Sequence, residues 1–266
     1  MELPVGSWLR AVSVRRSTRS FAREPLDRES IDRLERVCRE FRPFPEARAV
    51  LVRERVGRVA SGVIGAYGRV SGAPCYLAFI GGMDSSRFQE CVGYTGEGLI
   101  LEATAMGLGT CWVGGFFRPD AVSPSAGLGR DERVIAVSPV GKVRSVPSLT
   151  DVTFKAISGS RRRKPLKALV EGGLVIQGRW NAALEAARIA PSARNRQPWR
   201  FRLEDDAVTV LTDVVKATEK LSRRLDCGIA MLHFELGVRA AGVGGAWEFL
   251  EAPGVARFQV SVTSSS

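Results

Sequence analysis

Three short stretches of the chain combine residue types and spacings that could do chemistry. The first is Arg15-Arg16-Ser17-Thr18-Arg19-Ser20-Phe21. Guanidinium forks beside a hydroxyl suit a phosphate dianion, because arginine makes paired, charge-assisted hydrogen bonds where lysine offers a point charge. The same heptad also reads as a solvated turn. The second is Gly107-Leu-Gly-Thr-Cys-Trp-Val-Gly-Gly-Phe116, a helix end running into a glycine-rich turn. Around Val113, Gly114 and Gly115 the backbone N–H groups stand clear of large side chains, which suits close approach of a flat ring. Plain helix-stop chemistry would use the same glycines. A dinucleotide fingerprint is excluded, since G-x-G-x-x-G would need glycine where Trp112 stands and would open a helix. The third is Ala190-Pro-Ser-Ala-Arg-Asn-Arg-Gln-Pro-Trp-Arg-Phe201. Pro191 stops a helix, Ser192, Asn195 and Gln197 supply donors and acceptors in a fixed loop, and Pro198-Trp199 opens a strand. An ordinary helix-to-strand loop is the alternative.

Other chemistries are poorly supplied. His233 is the only histidine and lies in an apolar stretch, so it reads as a core or interface residue rather than a catalytic base. Cys38, Cys75, Cys91, Cys111 and Cys227 form no C-x-x-C pair, which fits reduced core thiols in a reducing cytoplasm and argues against structural zinc. At 266 residues, 45% hydrophobic and 25% charged, the chain has the profile of a folded protein with one large domain or two intimate halves. No apolar run approaches the roughly 18 residues of a membrane helix, and Met1 to Arg19 builds no secretory h-region. The expected location is the cytoplasm, with no membrane partner. The net charge of +11 first suggests nucleic acid. Its arginines are interspersed with 28 acids, however, and neither an RNP-type aromatic box nor a C2H2 pattern occurs. The dense clusters, Arg15 to Arg19 and Arg161 to Lys164, lie far apart in sequence but could grip one small phosphate.

The elements that must position these stretches follow from periodicity. Ile31, Leu34, Val37 and Cys38 make Ser30 to Arg39 an amphipathic helix, capped by Asp27 or Ser30. Ala49 to Val52, Tyr76 to Ile80 and Val134 to Val137 read as buried strands. Gly93 to Gly107, almost uncharged and rich in small residues, predicts a buried helix with a close neighbour, ended by Gly107 or Gly109. Arg144 to Arg163 reads as an extended connector. Trp180 to Ile189 predicts a second amphipathic helix, followed by a hairpin of Trp199 to Leu203 and Val208 to Leu211 turning at Asp205 and Asp206. An offset of 135 residues places Gly93, Leu101, Ala105, Gly107, Gly109 and Trp112 on Gly228, Leu236, Ala240, Gly242, Gly244 and Trp247, a degenerate repeat followed in each copy by a strand-like run, Val134 to Val137 and Phe258 to Val262.

Taken together, the three stretches resemble the FMN-dependent nitroreductase family: R-R-S-x-R near the N-terminus, G-L-G-x-x-W-x-x-G-F after the central helix, and A-P-S-x-x-N-x-Q-P-W after a later one. Arg161-Arg-Arg-Lys-Pro-Leu166 looks like the basic tail of such domains, with Gly141-Lys142-Val143 in the place of the turn before it. Members ordinarily carry A-P-S-x-x-N-x-Q-P-W in the same copy as R-R-S-x-R, whereas here Arg39 to Ala47 lacks it and the second half holds it. The chain therefore resembles a branch in which two subunits, here residues 1–170 and 171–266, have become one polypeptide.

That resemblance implies an α+β fold with mixed β-sheets flanked by helices, internally duplicated as a pseudo-dimer. It puts Arg15, Ser17, Arg19 and one or two of Arg161 to Arg163 around the phosphate and ribityl chain of FMN, with backbone from Arg16. Val113, Gly114 and Gly115 would sit beside the central ring, and Pro191, Ser192 and Asn195 would approach from the other half, with Gln197 supporting the loop. The implied activity is NAD(P)H-driven ping-pong reduction of a nitroaromatic or quinone-like acceptor, without a protein nucleophile or metal. A flavin-binding relative with other chemistry and a non-catalytic basic protein that binds nucleic acid or anions are the alternatives. One flavin site per chain, formed by both halves of a monomer, is expected.

Overall fold

The computed structural model describes residues 1–55, 70–115, 117–144, 162–173, 178, 180–213 and 223–261. Its first helix, α1 (Val5–Val14), has no side-chain cap and forms because Trp8, Ala11 and Val12 bury one face. The sequence reading does not mark it. In α2 (Arg28–Glu40) the Asp27 carboxylate accepts the Ser30 N–H at 2.7 Å, and Leu34, Val37 and Cys38 face the core. Thus the helix starts two residues before Ser30, with Asp27 as the cap.

The rest of the first half runs β1 (Ala47–Val52), β2 (Cys75–Gly82), α3 (Phe88–Ala105), β3 (Leu108–Thr110), α4 (Pro119–Ala126) and β4 (Glu132–Lys142). The second runs α5 (Trp180–Arg188), β5 (Trp199–Leu203), β6 (Ala207–Thr212), α6 (Arg223–Ala240), β7 (Gly245–Phe249) and β8 (Gly254–Val260). Each half builds a four-stranded sheet in the same order, β1-β2-β4-β3 and β5-β6-β8-β7. Every ladder is antiparallel. Parallel contacts occur among the described residues as isolated bridges, Ser17 to Thr110, Ser20 to Ser71 and Val170 to Phe201.

The two sheets share an irregularity as well as an order. The β2–β4 ladder skips one residue after the Phe79–Ala136 pair, and the β6–β8 ladder skips one after Val210–Ala256. Aligning these bulges makes Val140 equivalent to Val260. Their partners, Thr110 and Gly245, are then equivalent, which is the offset of 135 residues seen in the sequence.

The helices α3 and α6 pack against each other between the sheets. A methyl group on Gly93 would stand 2.0 Å from the Leu225 carbonyl oxygen, and one on Gly228 would stand 2.0 Å from that of Glu90. This reciprocal contact is why both helices carry glycine there: any side chain would force the backbones apart. The seam is continuous with the core, in which Trp8, Leu99, Ile100, Met231, Phe234 and Phe258 belong to one buried cluster.

Several boundaries differ from the sequence reading. The helix expected from Gly93 starts at Phe88, because Cys91 and Val92 are as buried as the residues after them. It ends just before Gly107, whose φ of +77° stops it. Strand β3 then intervenes before the glycine turn, so the turn does not leave the helix directly. Gly141 and Lys142 continue β4 and pair with Gly109 and Leu108; they are not the expected turn. Strand β8 begins at Gly254, four residues before Phe258, since Val255 and Ala256 are also buried. Most of the connector from Arg144 to Arg163 lies outside the described residues, as does Val262.

Candidate functional site

The chain leaves α1 at Arg15, whose N–H still bonds the Ala11 carbonyl at 2.8 Å. It then runs extended beside β3: Thr18 donates to the Thr110 carbonyl at 2.8 Å, and Ser71 donates to the Arg19 carbonyl at 2.9 Å. A side chain on Gly109 would strike Thr18 at 2.9 Å, so the strap lies flush only because that position is bare. Arg16 and Ser17 remain exposed and Arg19 half-buried. Arg15 turns inward: its side chain is 7% exposed, Nε lies 3.9 Å from Glu97 Oε1, and Nη1 is buried with no hydrogen-bond partner.

From the second half comes the loop after α5. Arg194, Asn195 and Gln197 adopt φ of 54°, 53° and 51°, a left-handed conformation that non-glycine residues seldom take and that persists where neighbours enforce it. Here the enforcement is visible. The buried Gln197 carboxamide accepts the Lys164 N–H at 2.7 Å and donates to the carbonyls of Arg162 and Asn195, both at 3.1 Å. The Gln197 N–H donates to Ser192 Oγ at 2.9 Å. From beneath, Asp226 on α6 accepts the Ala193 N–H at 3.0 Å and pairs with Arg196 at 3.3 Å. Burial pushes the Asp226 carboxyl up to about 6, against the lowering effect of those two partners.

The loop meets the first half's tail at Asn195, which donates to the Arg162 carbonyl at 2.8 Å and accepts from Arg163 Nη1. Arg163 also donates to the Ile189 carbonyl at 3.2 Å. Burial, then the nearby charges of Arg15 and Arg188, hold the Arg163 guanidinium down at about 10. Three arginines, from α1, the connector and the last turn of α5, thus converge at the seam.

Behind them lies Glu97, fully buried on α3. Its Oε2 accepts Trp112 Nε1 at 2.7 Å, and its Oε1 lies 2.9 Å from Nε2 of the fully buried His233 on α6. His233 Nδ1 faces the Ala186 carbonyl of α5 at 3.1 Å. Trp112 leads into Val113, which exchanges two backbone bonds of 2.9 Å with Val137 and so fixes the start of the glycine turn. Gly114 is half-buried and Gly115 exposed.

Of the residues expected from sequence, the structure joins Arg15, Arg163, Asn195 and Ser192 through contacts or shared partners, and ties Val113 to them through Trp112 and Glu97. Arg16, Ser17 and Arg19 lie on the adjacent strap, and Pro191 at the loop's entry. Arg161 lies outside the described residues. Arg188, Glu97 and Asp226 are functional candidates that the sequence does not single out, and His233 reads there as a core or interface residue. In the structure Arg188 pairs with Glu185 at the end of α5; nothing local in sequence sets Glu97 or Asp226 apart from other helix acids. Among the described residues no His, Cys, Asp and Glu cluster could hold a metal, and no helix is long and apolar enough to cross a membrane.

A family model described as "Putative TM nitroreductase" matches residues 8–238. A crystal structure described as "a putative nitroreductase" from Thermotoga maritima MSB8 superposes with a TM-score of 0.62 over 95% of this chain and 93% of that one, at 19% identity, which establishes likeness of fold. The Mycobacterium tuberculosis protein "Putative NAD(P)H nitroreductase acg", from strains CDC 1551 and H37Rv, is 39% identical over 66 residues. That match spans 23% of this chain and a fifth of the relative's length. The family model covers most of the chain, its fold agrees, and the chain belongs to this nitroreductase family.

Proposed function

We propose that the chain binds one FMN at a site composed from both halves and acts as an oxidoreductase that takes electrons from NAD(P)H and passes them to a nitroaromatic or quinone-like acceptor. The observation that carries this reading is the buried, unpartnered Nη1 of Arg15 beside Arg163 and Arg188. Cations that repel one another in a desolvated place favour a dianion between them, and the FMN phosphate is such a group. Family membership and the name of the tuberculosis relative support NAD(P)H as donor.

Bound FMN would supply the hydride chemistry. Arg15, Arg163 and Arg188 would hold its phosphate, with Ser17, Arg19 and Arg161 as further anchors and Arg16 contributing backbone. Val113, Gly114 and Gly115 offer peptide N–H groups on a turn fastened by Val137, suited to a ring's polar edge. Pro191, Ser192 and Asn195 close the site from the second half, in a loop stiff enough to orient what it touches.

The halves, 1–170 and 171–266, are read as two fused subunits that now share one site. Extending the ladder equivalence makes Val113 equivalent to Glu248, since their partners Val137 and Arg257 correspond. Gly114 is then equivalent to Phe249. Its ring packs 5.1 Å from Phe44, which itself meets Tyr94, and Arg87 lies over it. Aromatic side chains therefore fill the place a second ring would need. Titrating flavin-free protein with FMN, followed by flavin fluorescence, should break at one equivalent, and the loaded protein should oxidise NADH or NADPH only when a nitroaromatic or quinone is present. A break at two equivalents, or no binding, would overturn the reading.

A further inference from the structure

Glu97 meets Arg15 at the start of the strap and Trp112, the residue before the glycine turn, and His233 links it to the helix that precedes the loop. The hydrogen-bond inventory is restrictive. The Ala186 carbonyl can only accept, so His233 Nδ1 carries a hydrogen. The 2.9 Å contact between Nε2 and Glu97 Oε1 needs a second hydrogen between them. Trp112 Nε1 occupies Oε2. What Oε1 has left is turned toward Arg15 Nε at 3.9 Å, while the far end of the same guanidinium, Nη1, has nothing to bind. A buried carboxylate on one side of an arginine and an unanswered N–H on the other is the arrangement of a guanidinium held for an anion. His233 in turn holds the carboxylate in place. Two further positive charges stand nearby: Arg163 on the first half's tail, close to both Arg15 and Arg188, and Arg188 across the seam.

We infer that Glu97 and His233 form a positioning pair across the seam between the halves, which aims Arg15 at the phosphate of the flavin and so makes the site select phosphorylated from unphosphorylated flavin. This rests on the proposed cofactor. Neither residue need touch the flavin. Both act through Arg15 and through Trp112, which leads into the glycine turn.

Glu97→Gln separates this role from a structural one. The amide oxygen can accept Trp112 Nε1 and the amide nitrogen can donate to His233 Nε2, so both buried hydrogen bonds survive with the same shape. The group presented to Arg15 changes from carboxylate oxygen to amide NH2, and attraction becomes repulsion. Affinities for FMN and for riboflavin are read by flavin fluorescence on wild type, Glu97→Gln, Arg15→Gln and the double variant. Losing one charge-assisted contact lowers affinity about tenfold or more. The FMN-to-riboflavin affinity ratio should therefore fall by about tenfold in Glu97→Gln with riboflavin binding unchanged, and the double variant should match Arg15→Gln alone. An unchanged ratio, an equal loss for both flavins, or additive effects in the double variant would each overturn the inference. If Glu97→Gln does not fold, Glu97→Asp decides by the same ratio, since it keeps the charge but draws it back from Arg15. Wild type that binds FMN no better than riboflavin would instead refute the cofactor reading, leaving the two failures distinct.

Discussion

Asp226 gives the structure its sharpest quantitative consequence. The carboxyl is 2% exposed beneath the loop from Pro191 to Gln197, and burial raises it from an ordinary 3.8 to about 6. The folded chain therefore holds this proton more tightly than the unfolded chain. Between about pH 4 and pH 6 the fold carries the extra proton, so stability falls as pH rises through that window and stays lower above it. A displacement of that size corresponds to about 3 kcal/mol. Asp226→Asn removes the titration while retaining an oxygen that can accept the Ala193 N–H. Urea unfolding of both proteins from pH 4 to pH 7 isolates the effect, because the other carboxylates cancel on subtraction. The stability of Asp226→Asn relative to wild type should rise by about 3 kcal/mol across the series. A flat difference would show that burial and the two partners balance. A slope of the opposite sign would show that Ala193 and Arg196 outweigh burial, and either result refutes the reasoning.

Arg163→Ala should yield protein purified largely free of flavin, because it removes one proposed phosphate partner and one of the hydrogen bonds that anchor Asn195; Arg36→Ala, on the exposed face of α2, should leave flavin content unchanged, as read from visible absorbance. Gly93→Ala should destabilise the fold by about 3 kcal/mol in urea, the upper end for overpacking, since its methyl group would meet a backbone oxygen at 2.0 Å. Gly6→Ala, whose new methyl has only the flexible end of Arg10 nearby, should stabilise α1 by about 0.5 to 1 kcal/mol. All five cysteines are buried and free, and burial pushes the Cys38 and Cys75 thiols up to about 12; a thiol reagent at pH 8 should react with them only as the protein unfolds.

The parts legible in sequence are those whose constraint is local. A proline after an amphipathic helix, glycines at a helix end and arginines flanking a serine each announce themselves within a dozen residues. Hence α2, α5, the β5–β6 hairpin and the middle of α3 stand close to where periodicity puts them. What escaped has a distant cause. Helix α1 has neither cap nor end charges and exists because Trp8, Ala11 and Val12 find the core. Strand β3 is three residues long and forms only because β4 runs past its expected end to meet it. His233 reads in sequence as a core histidine, and it is buried as such; its partner Glu97 lies 136 residues away. Asp226 is an acid in the first turn of α6, a local role that says nothing of the loop above it.

The same reasoning accounts for the inequality of the halves. A repeated sheet and a reciprocal glycine contact between α3 and α6 would, in a symmetric assembly, generate two equivalent sites. Among the described residues each ingredient of the proposed site occurs once: the arginine strap follows α1, the strained loop follows α5, and the residue at the proposed ring position is Gly114 in one half but Phe249 in the other. Once both copies lie in one chain, substitution in one half no longer repeats in the other. In the proposed fused arrangement, one composite pocket keeps its cations while the other exchanges them for apolar contact. The cluster of the buried Tyr94 and the half-buried Phe44 and Phe249 buries apolar area between the halves, which favours their contact.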